Sequence, residues 1–408
     1  MDGMVIVHRS IYAYPWDVQA EGIESATATV AELGLTAVCV AVSYHSGKFL
    51  SPRHPARRVI FPEGGVVYFR PSEARFRDLP LRPVISELVR EGDVLAEIAR
   101  ACRRQGLRFV GWVVGTHNTR LGQQHPEFLA RNAYGDAYVY ALCPSHEVVR
   151  AFLRALIEDM LEQYPFDGLE VESFGYMGFL HGYHHEVYGV SLGVFEHTLL
   201  ALCFCPACER MGREVGVDVT RLRKSIRQAL DRRLADPVER GPATAADDTA
   251  ALLDFLLAHA ELQAYLRRRC ECVTHMLSEL AQLAHQKGVE FACLGPVFAR
   301  PTALGWVEGL DPRAIGLAVD RFIVALYFEE AERRAAEAAY VAGLQLPCAV
   351  GAAVNLAPPY TRTREDLEMT LQQIARLGFT SVGFSNYGTL PGYRLSWIRH
   401  ALAGGEEP

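Results

Sequence analysis

Long apolar runs are missing from this chain: no segment reaches the ~18 consecutive apolar residues that a membrane-spanning helix needs. The opening "MDGMVIVHRSIYAYP" also lacks a basic region leading into an extended apolar stretch. No membrane partner is expected, and the reading is of a cytoplasmic protein. Basic runs interleaved with aromatics are absent as well. Lys+Arg 41 against Asp+Glu 48 leaves a net charge of −7, which argues against nucleic acid as a partner. No G-x-G-x-x-G follows the first strand-like segment and no P-loop occurs, so no organic cofactor is indicated. There is no internal repeat. Without a secretory signal, the ten cysteines read as free thiols or metal ligands rather than disulfides.

What remains is ample material for a core. Hydrophobic residues make up 50% and charged residues 22% of the 408 positions, as in a soluble globular protein. β-branched apolar runs recur and helical patterns follow them. Strands are predicted at 4–14, 36–45, 108–117, 166–174, 289–297, 321–328, 346–356 and 379–387. Helices are predicted around 18–33, 91–105, 146–163, 250–287, 329–342, 363–376 and 393–402. Eight strand units in alternation imply a closed (β/α)₈ TIM barrel of the α/β class, with residues 1–408 as a single domain. Two stretches interrupt the spacing. Residues 46–90, after strand 2, are rich in Pro, Gly, Arg and aromatics and form a candidate lid; 175–288, after strand 4, is a long insertion with an exposed linker at 236–248.

Within "FDGLEVESFGY" (166–176), period-2 alternation places Gly168, Glu170 and Glu172 on one strand face and Leu169, Val171 and Ser173 on the other. The Val/Leu face packs on helices, so both glutamates point into the barrel. Glu172 is nearer the C-terminal end, where barrel active sites lie, and Glu170 sits one layer deeper. Each carboxylate can either pair with a basic residue or do chemistry. For a second catalytic group Glu329 and Glu330 follow strand 6, although they also suit a helix start; Asp17 after strand 1 is a weaker choice. Tyr12, Tyr44, His45, Trp112, His117, Asn355, Asn386 and Tyr387 fall near strand ends. Such aromatics and amides suit a sugar, whose C–H faces stack on rings while its hydroxyls take hydrogen bonds. "HGYHHE" supplies His181, His184 and His185 on a loop, as metal ligands or, more simply, as part of a substrate cover.

Residues 125–172 resemble the strand 3 to strand 4 segment of glycoside-hydrolase-like TIM barrels. "DGLEVESF" is similar to the D-G-x-D-x-D-x-E strand of family 18 chitinases, with Glu170 and Glu172 at its second and third acidic positions and Phe174 where the last acid stands in that family. "ALYFEE" resembles the M-x-Y-D strand of the same group, with Tyr327 at the tyrosine, and "VGFSNYGTLP" is like the barrel-closing strand of the wider families. A second resemblance is to family 42 β-galactosidases, which carry a C-P-x-S element before strand 4 and a C-x-C-x-x-C after it. Here Cys143 and then Cys203, Cys205 and Cys208 stand at those places. In that family the four thiolates hold zinc, so the resemblance implies a structural Zn²⁺; four buried free cysteines is the other reading. Glu172 matches that family's strand 4 acid/base, while strand 7, "CAVGAAVNLA", has no carboxylate for a nucleophile.

The resemblance implies a glycosidase acting on a carbohydrate or glycoconjugate, with Glu172 as general acid and Glu170, Glu329 and Tyr327 beside it. A barrel lyase or isomerase in which Glu172 removes a proton, and a carbohydrate-binding pseudoenzyme, are the competing classes. An oligomer is compatible with all three.

Overall fold

The computed structural model describes residues 6–90, 92–183, 185–235 and 245–403. Eight strands run parallel in chain order: β1 (His8–Ala13), β2 (Ala37–Tyr44), β3 (Arg108–Val114), β4 (Gly168–Glu172), β5 (Glu290–Leu294), β6 (Arg321–Ala325), β7 (Ala349–Asn355) and β8 (Ser381–Ser385). β1 pairs with both β2 and β8, so the sheet closes on itself. This is the (β/α)₈ barrel expected from the alternation. The strands are short and rich in Val, Ala, Phe and Ile because a parallel barrel is covered on both faces; every residue of β2 is buried.

The surrounding helices are α1 (Ile23–Glu32), α2 (Val94–Arg104), α3 (Glu147–Gln163), α4 (Ala260–Gln286), α5 (Pro312–Ile315), α6 (Ala331–Gly343), α7 (Arg364–Arg376) and α8 (Gly392–Leu402). The single helix expected near 18–33 is two, Pro15–Glu21 and α1, because Gly22 between them takes φ 92°, a conformation open chiefly to glycine. Side-chain caps fix other starts: Asp93 accepts the Ala96 N–H at 3.0 Å before α2, and Thr363 accepts that of Asp366 at 3.1 Å before α7. The longest helix, α4, buries Leu262, Tyr265, Leu266, Arg269, Cys272, Val273, Met276 and Leu277, an i, i+3, i+4, i+7 stripe facing inward.

The lid-like segment 46–90 extends the sheet. Its Val66–Val67 pairs antiparallel with β2, and Val84–Ile85 pairs in turn with that segment. Between Ala41 and Ser43 the β2–β3 register shifts; Ser43 Oγ fills the gap, donating to the Val114 carbonyl at 2.9 Å and accepting the Val114 N–H at 3.1 Å. Such a bulge bends the strand end and re-aims the next side chain, here Tyr44. The 175–288 insertion contributes helices Val194–Ala201, Pro206–Glu214, Val219–Ala235 and Ala245–Ala258 ahead of α4. Of the expected 236–248 linker, 236–244 lie outside the described residues and 245–248 open a helix, not a loop. Among the described residues no helix is long and apolar enough to cross a membrane.

Candidate active site

β4 brings its two glutamates into different layers. Glu170, in register with Trp112 on β3 and Ala292 on β5, is buried in the barrel. Its Oε2 accepts the Tyr12 hydroxyl at 2.8 Å and the Cys39 thiol at 3.4 Å, and its Oε1 lies 3.7 Å from Arg321 Nη1. His8 stands 3.9 Å away, but burial, reinforced by Arg321 and Arg108, lowers its pKa to about 3, so the ring is neutral and Arg321 carries the countercharge. Arg321 also pairs with Glu290.

Glu172 lies at the C-terminal end of β4, half-buried, on the wall of a cleft of ≈ 130 Å³ lined by Tyr12, Tyr44, Trp112, Glu172, Leu294, Tyr327, Asn355, Ser385 and Asn386. Trp112 Nε1 donates to its Oε2 at 2.7 Å. No cation among the described residues is within ion-pair distance. Burial therefore raises the carboxyl pKa to about 7, against the smaller lowering by the Trp112 N–H. Tyr327 and Ser385 share a hydrogen bond of 3.0 Å, and Asn386 Nδ2 donates to Tyr14 Oη at 2.6 Å, which lies 2.9 Å from Tyr44 Oη. The ring of Trp112 meets Tyr12 and Tyr44 edge-on, with centroids 5.2 and 5.0 Å apart. The wall is thus aromatic, with amide and hydroxyl groups tied down by one another.

Seven of the residues singled out in the sequence meet in this cleft: Tyr12, Tyr44, Trp112, Glu172, Tyr327, Asn355 and Asn386. Glu170 lies beneath it. Glu329 does not enter it, because the chain has left the barrel by then; the residue is exposed and pairs with Arg362 at 3.8 Å. Tyr387 turns away to donate to Glu21 at 2.7 Å, with Arg53 over its ring. His45 and His117 also miss the cleft wall. They stack on each other at 4.0 Å between centroids, and His181 meets His117 edge-on at 4.2 Å. Burial lowers all three rings, His45 and His181 to about 4, and keeps them neutral near pH 7. Of the other loop histidines, His185 is exposed and His184 lies outside the described residues. Sequence reasoning passed over Leu294, Ser385, Tyr14 and Arg321. The first two end β5 and β8, a position that marks the catalytic face of a barrel; Arg321 opens an otherwise apolar strand.

The four cysteines form a second centre. Cys143 Sγ lies 3.4 Å from Cys208, 3.6 Å from Cys205 and 3.8 Å from Cys203, and the four sulfurs all fall within 4.8 Å of one another, buried. A tetrahedral zinc with bonds of ~2.3 Å would hold its sulfurs ~3.8 Å apart, so donor type and spacing both fit. The Arg131 N–H points at Cys203 Sγ at 3.3 Å, as backbone amides do around thiolates. The cluster joins the segment ahead of α3 to the insertion after β4.

Several solved structures share this (β/α)₈ barrel fold. Among solved structures, the chain superposes on the PgaB (BpsB) glycoside hydrolase domain from Bordetella bronchiseptica with TM-score 0.56 and 12% identity, over 97% of this chain and 96% of that one. A β-galactosidase from the psychrophilic Marinomonas ef1 gives TM-score 0.56 and 12% identity over 97% of this chain. α-L-Fucosidase isoenzyme 2 from Paenibacillus thiaminolyticus gives 0.53 and 10% over 98%. The chain spans 59% of that β-galactosidase and 49% of that fucosidase. No family model and no curated protein matches the sequence. At these identities the likeness is one of fold.

Proposed function

We propose that the protein is a glycosidase that cleaves a glycosidic bond in a carbohydrate or glycoconjugate, with Glu172 as general acid. The observation that carries this reading is a carboxyl at the C-terminal mouth, in a tyrosine- and amide-lined cleft, whose pKa is raised by burial to about 7. An acid poised there is protonated near neutrality, and its proton passes to the glycosidic oxygen as the bond from the anomeric carbon breaks. Tyr12, Tyr44 and Trp112 supply stacking faces; Asn355, Asn386 and Tyr327 supply hydrogen bonds to hydroxyls. The cleft is small beside the ~300–1,000 Å³ of sites for larger ligands, which suits one sugar ring inside and the remainder of the substrate outside.

Two-carboxylate hydrolysis needs a partner at ~5–5.5 Å for retention or ~6.5–9.5 Å for inversion. Among the described residues lining the cleft, Glu172 is the one carboxylate. This favours a substrate that brings its own nucleophile, as a 2-acetamido group does in substrate-assisted families. The same observation favours the second reading, a binding protein that holds a sugar without cleaving it. A panel of 2-acetamido and 2-hydroxy glycosides, with Glu172→Gln as control, separates these. Turnover confined to the acetamido set supports the first. Binding detected by calorimetry with no product from any member leaves the second.

The four thiols, in our reading, hold one structural Zn²⁺, with all four positions taken by sulfur and none open for chemistry. Elemental analysis of protein prepared without chelator should give close to one zinc per chain; a metal-free product would end this assignment. The ten unpaired cysteines fit a reducing compartment such as the cytoplasm. We take 175–288 as an insertion within one barrel domain.

A further inference from the structure

A fully buried guanidinium is linked to the cysteine cluster through Tyr176 and Ser145, with no acid among the described residues to answer it. Arg269 on α4 is 0% exposed. Its Nη2 donates to the Val307 carbonyl at 3.0 Å, while Nε and Nη1 have no hydrogen-bond partner among the described residues. No carboxylate among the described residues lies within ion-pair distance of it, whereas the buried Arg321 and Arg334 face Glu170 and Asp366. An isolated buried charge is among the least favourable things a core can hold. Something must balance it.

The surroundings name the balance. The guanidinium lies over the ring of Tyr176, 4.1 Å from its centroid. Tyr176 Oη is 2.7 Å from Ser145 Oγ, and Ser145 Oγ is 3.1 Å from Cys208 Sγ. Four residues earlier on the same face of α4, Tyr265 donates to the Cys203 carbonyl at 2.5 Å. Among the groups these contacts reach, the cysteines are the ones that ionise on binding metal. Four thiolates around a divalent ion carry a net charge of −2, itself costly to bury. Neutral thiols would leave Arg269 alone, and a dianionic centre without a cation would be as exposed to that cost. Together they offset one another.

We propose that Arg269 is the countercation of a dianionic tetrathiolate metal centre, so that metal loading and the seating of α4 against the cysteine segment are one event. This rests on the metal reading of the cluster. In that arrangement Arg269 acts as a positioning residue: it touches neither the metal nor the cleft, and it works through the charge of the thiolates and the ring of Tyr176.

The test uses the full chain, Zn²⁺ and a competing chromophoric chelator. Arg269→Met removes the charge and keeps apolar length; Arg269→Lys keeps the charge. In Arg269→Met the affinity for Zn²⁺ should fall ~10–100-fold, the range for removal of a supporting residue behind metal ligands, while Arg269→Lys should stay within about threefold of the unmodified chain. Thermal unfolding supplies a readout that a merely structural arginine would not give. Arg269→Met should lower the midpoint of the zinc-loaded protein and raise that of the stripped protein, because the stripped form is rid of an unbalanced charge. One zinc in the unmodified chain together with unchanged affinity in Arg269→Met overturns the countercation alone. Equal midpoint losses in loaded and stripped protein do the same. An unmodified chain that takes up no zinc overturns the metal centre and the countercation together. Should Arg269→Met not fold, Arg269→Lys decides: retained affinity supports the charge role, and a loss beyond tenfold refutes it.

Discussion

Glu170 and Glu172 are separated by a single residue on one strand face, yet the barrel treats their charges in opposite ways. One layer down, Glu170 is met by Tyr12, Cys39 and Arg321, so its charge is answered by a cation and by donors. At the mouth, Glu172 has, among the described residues, one N–H and no cation in ion-pair range, and burial moves its titration to about 7. A buried carboxylate can be tolerated by pairing or by protonation. The lower layer uses the first and the upper layer the second, and only the second leaves a proton to give. For these two carboxyls, depth in the barrel, more than identity, therefore sets whether the group is paired with a cation or left able to hold a proton.

The largest expected effect breaks the comparison from above. Glu172→Gln keeps size and hydrogen bonding but has no transferable proton, so turnover should drop by ~10²–10⁴ with binding retained. Substrates with activated leaving groups should recover part of the loss; equal losses for activated and unactivated substrates would assign Glu172 to proton abstraction or nucleophilic attack instead. Stability should move the other way. The folded carboxyl titrates near 7 and the unfolded one near 4.5, so the native state loses stability as pH rises through that window. Glu172→Gln should thus be more stable than the unmodified chain by about 1–3 kcal/mol at pH 8 and no different at pH 4; denaturant titrations at the two pH values check this.

Glu170→Leu attacks the comparison from below. It leaves Arg321 buried with Glu290 as its remaining acid and Tyr12 without its acceptor, and should cost ~2–4 kcal/mol in urea unfolding. Glu170→Gln, which keeps an acceptor, should cost less. Turnover per folded molecule should survive in both. Should Glu170→Leu instead abolish turnover while leaving stability intact, the division between layers fails.

Much of this arrangement was legible in the residues. Strand periodicity placed both glutamates inside the barrel, and strand ends marked Tyr12, Tyr44, Trp112, Tyr327, Asn355 and Asn386, because closure of a parallel sheet forces those ends onto one face. The signal failed where the chain leaves the strand. Glu329 and Tyr387 lie only a few residues past β6 and β8, but at that point local turns and partners such as Arg362 and Glu21 set direction, and period-2 alternation no longer applies. That Glu170 pairs with a basic residue was among the readings of the strand, but the identity of the partner was hidden: Arg321 is 151 positions away, and nothing local in either strand reveals that β6 delivers it. Spacing alone brought three cysteines together and the family 42 resemblance added Cys143, whereas the buried Arg269 comes from a distant segment that only the folded chain brings to them.

The smallest effect sharpens the comparison most. Trp112→Phe keeps an aromatic ring against Tyr12 and Tyr44 and deletes the one N–H that holds the Glu172 carboxylate. That hydrogen bond lowers the titration of Glu172 while burial raises it, so its loss leaves burial unopposed and the carboxyl titrates higher. A general acid is active when protonated, hence the alkaline limb of the pH–rate profile should move to higher pH, with less than a tenfold change in turnover on the plateau. Tyr12→Phe is the counterpart one layer down: it removes a donor from Glu170, and should cost ~1 kcal/mol of stability while leaving the limb where it was. If Trp112→Phe shifts the limb to lower pH, or Tyr12→Phe moves it as far, then the group titrating in the rate profile is not Glu172, and the two layers are not separate in the way their contacts imply.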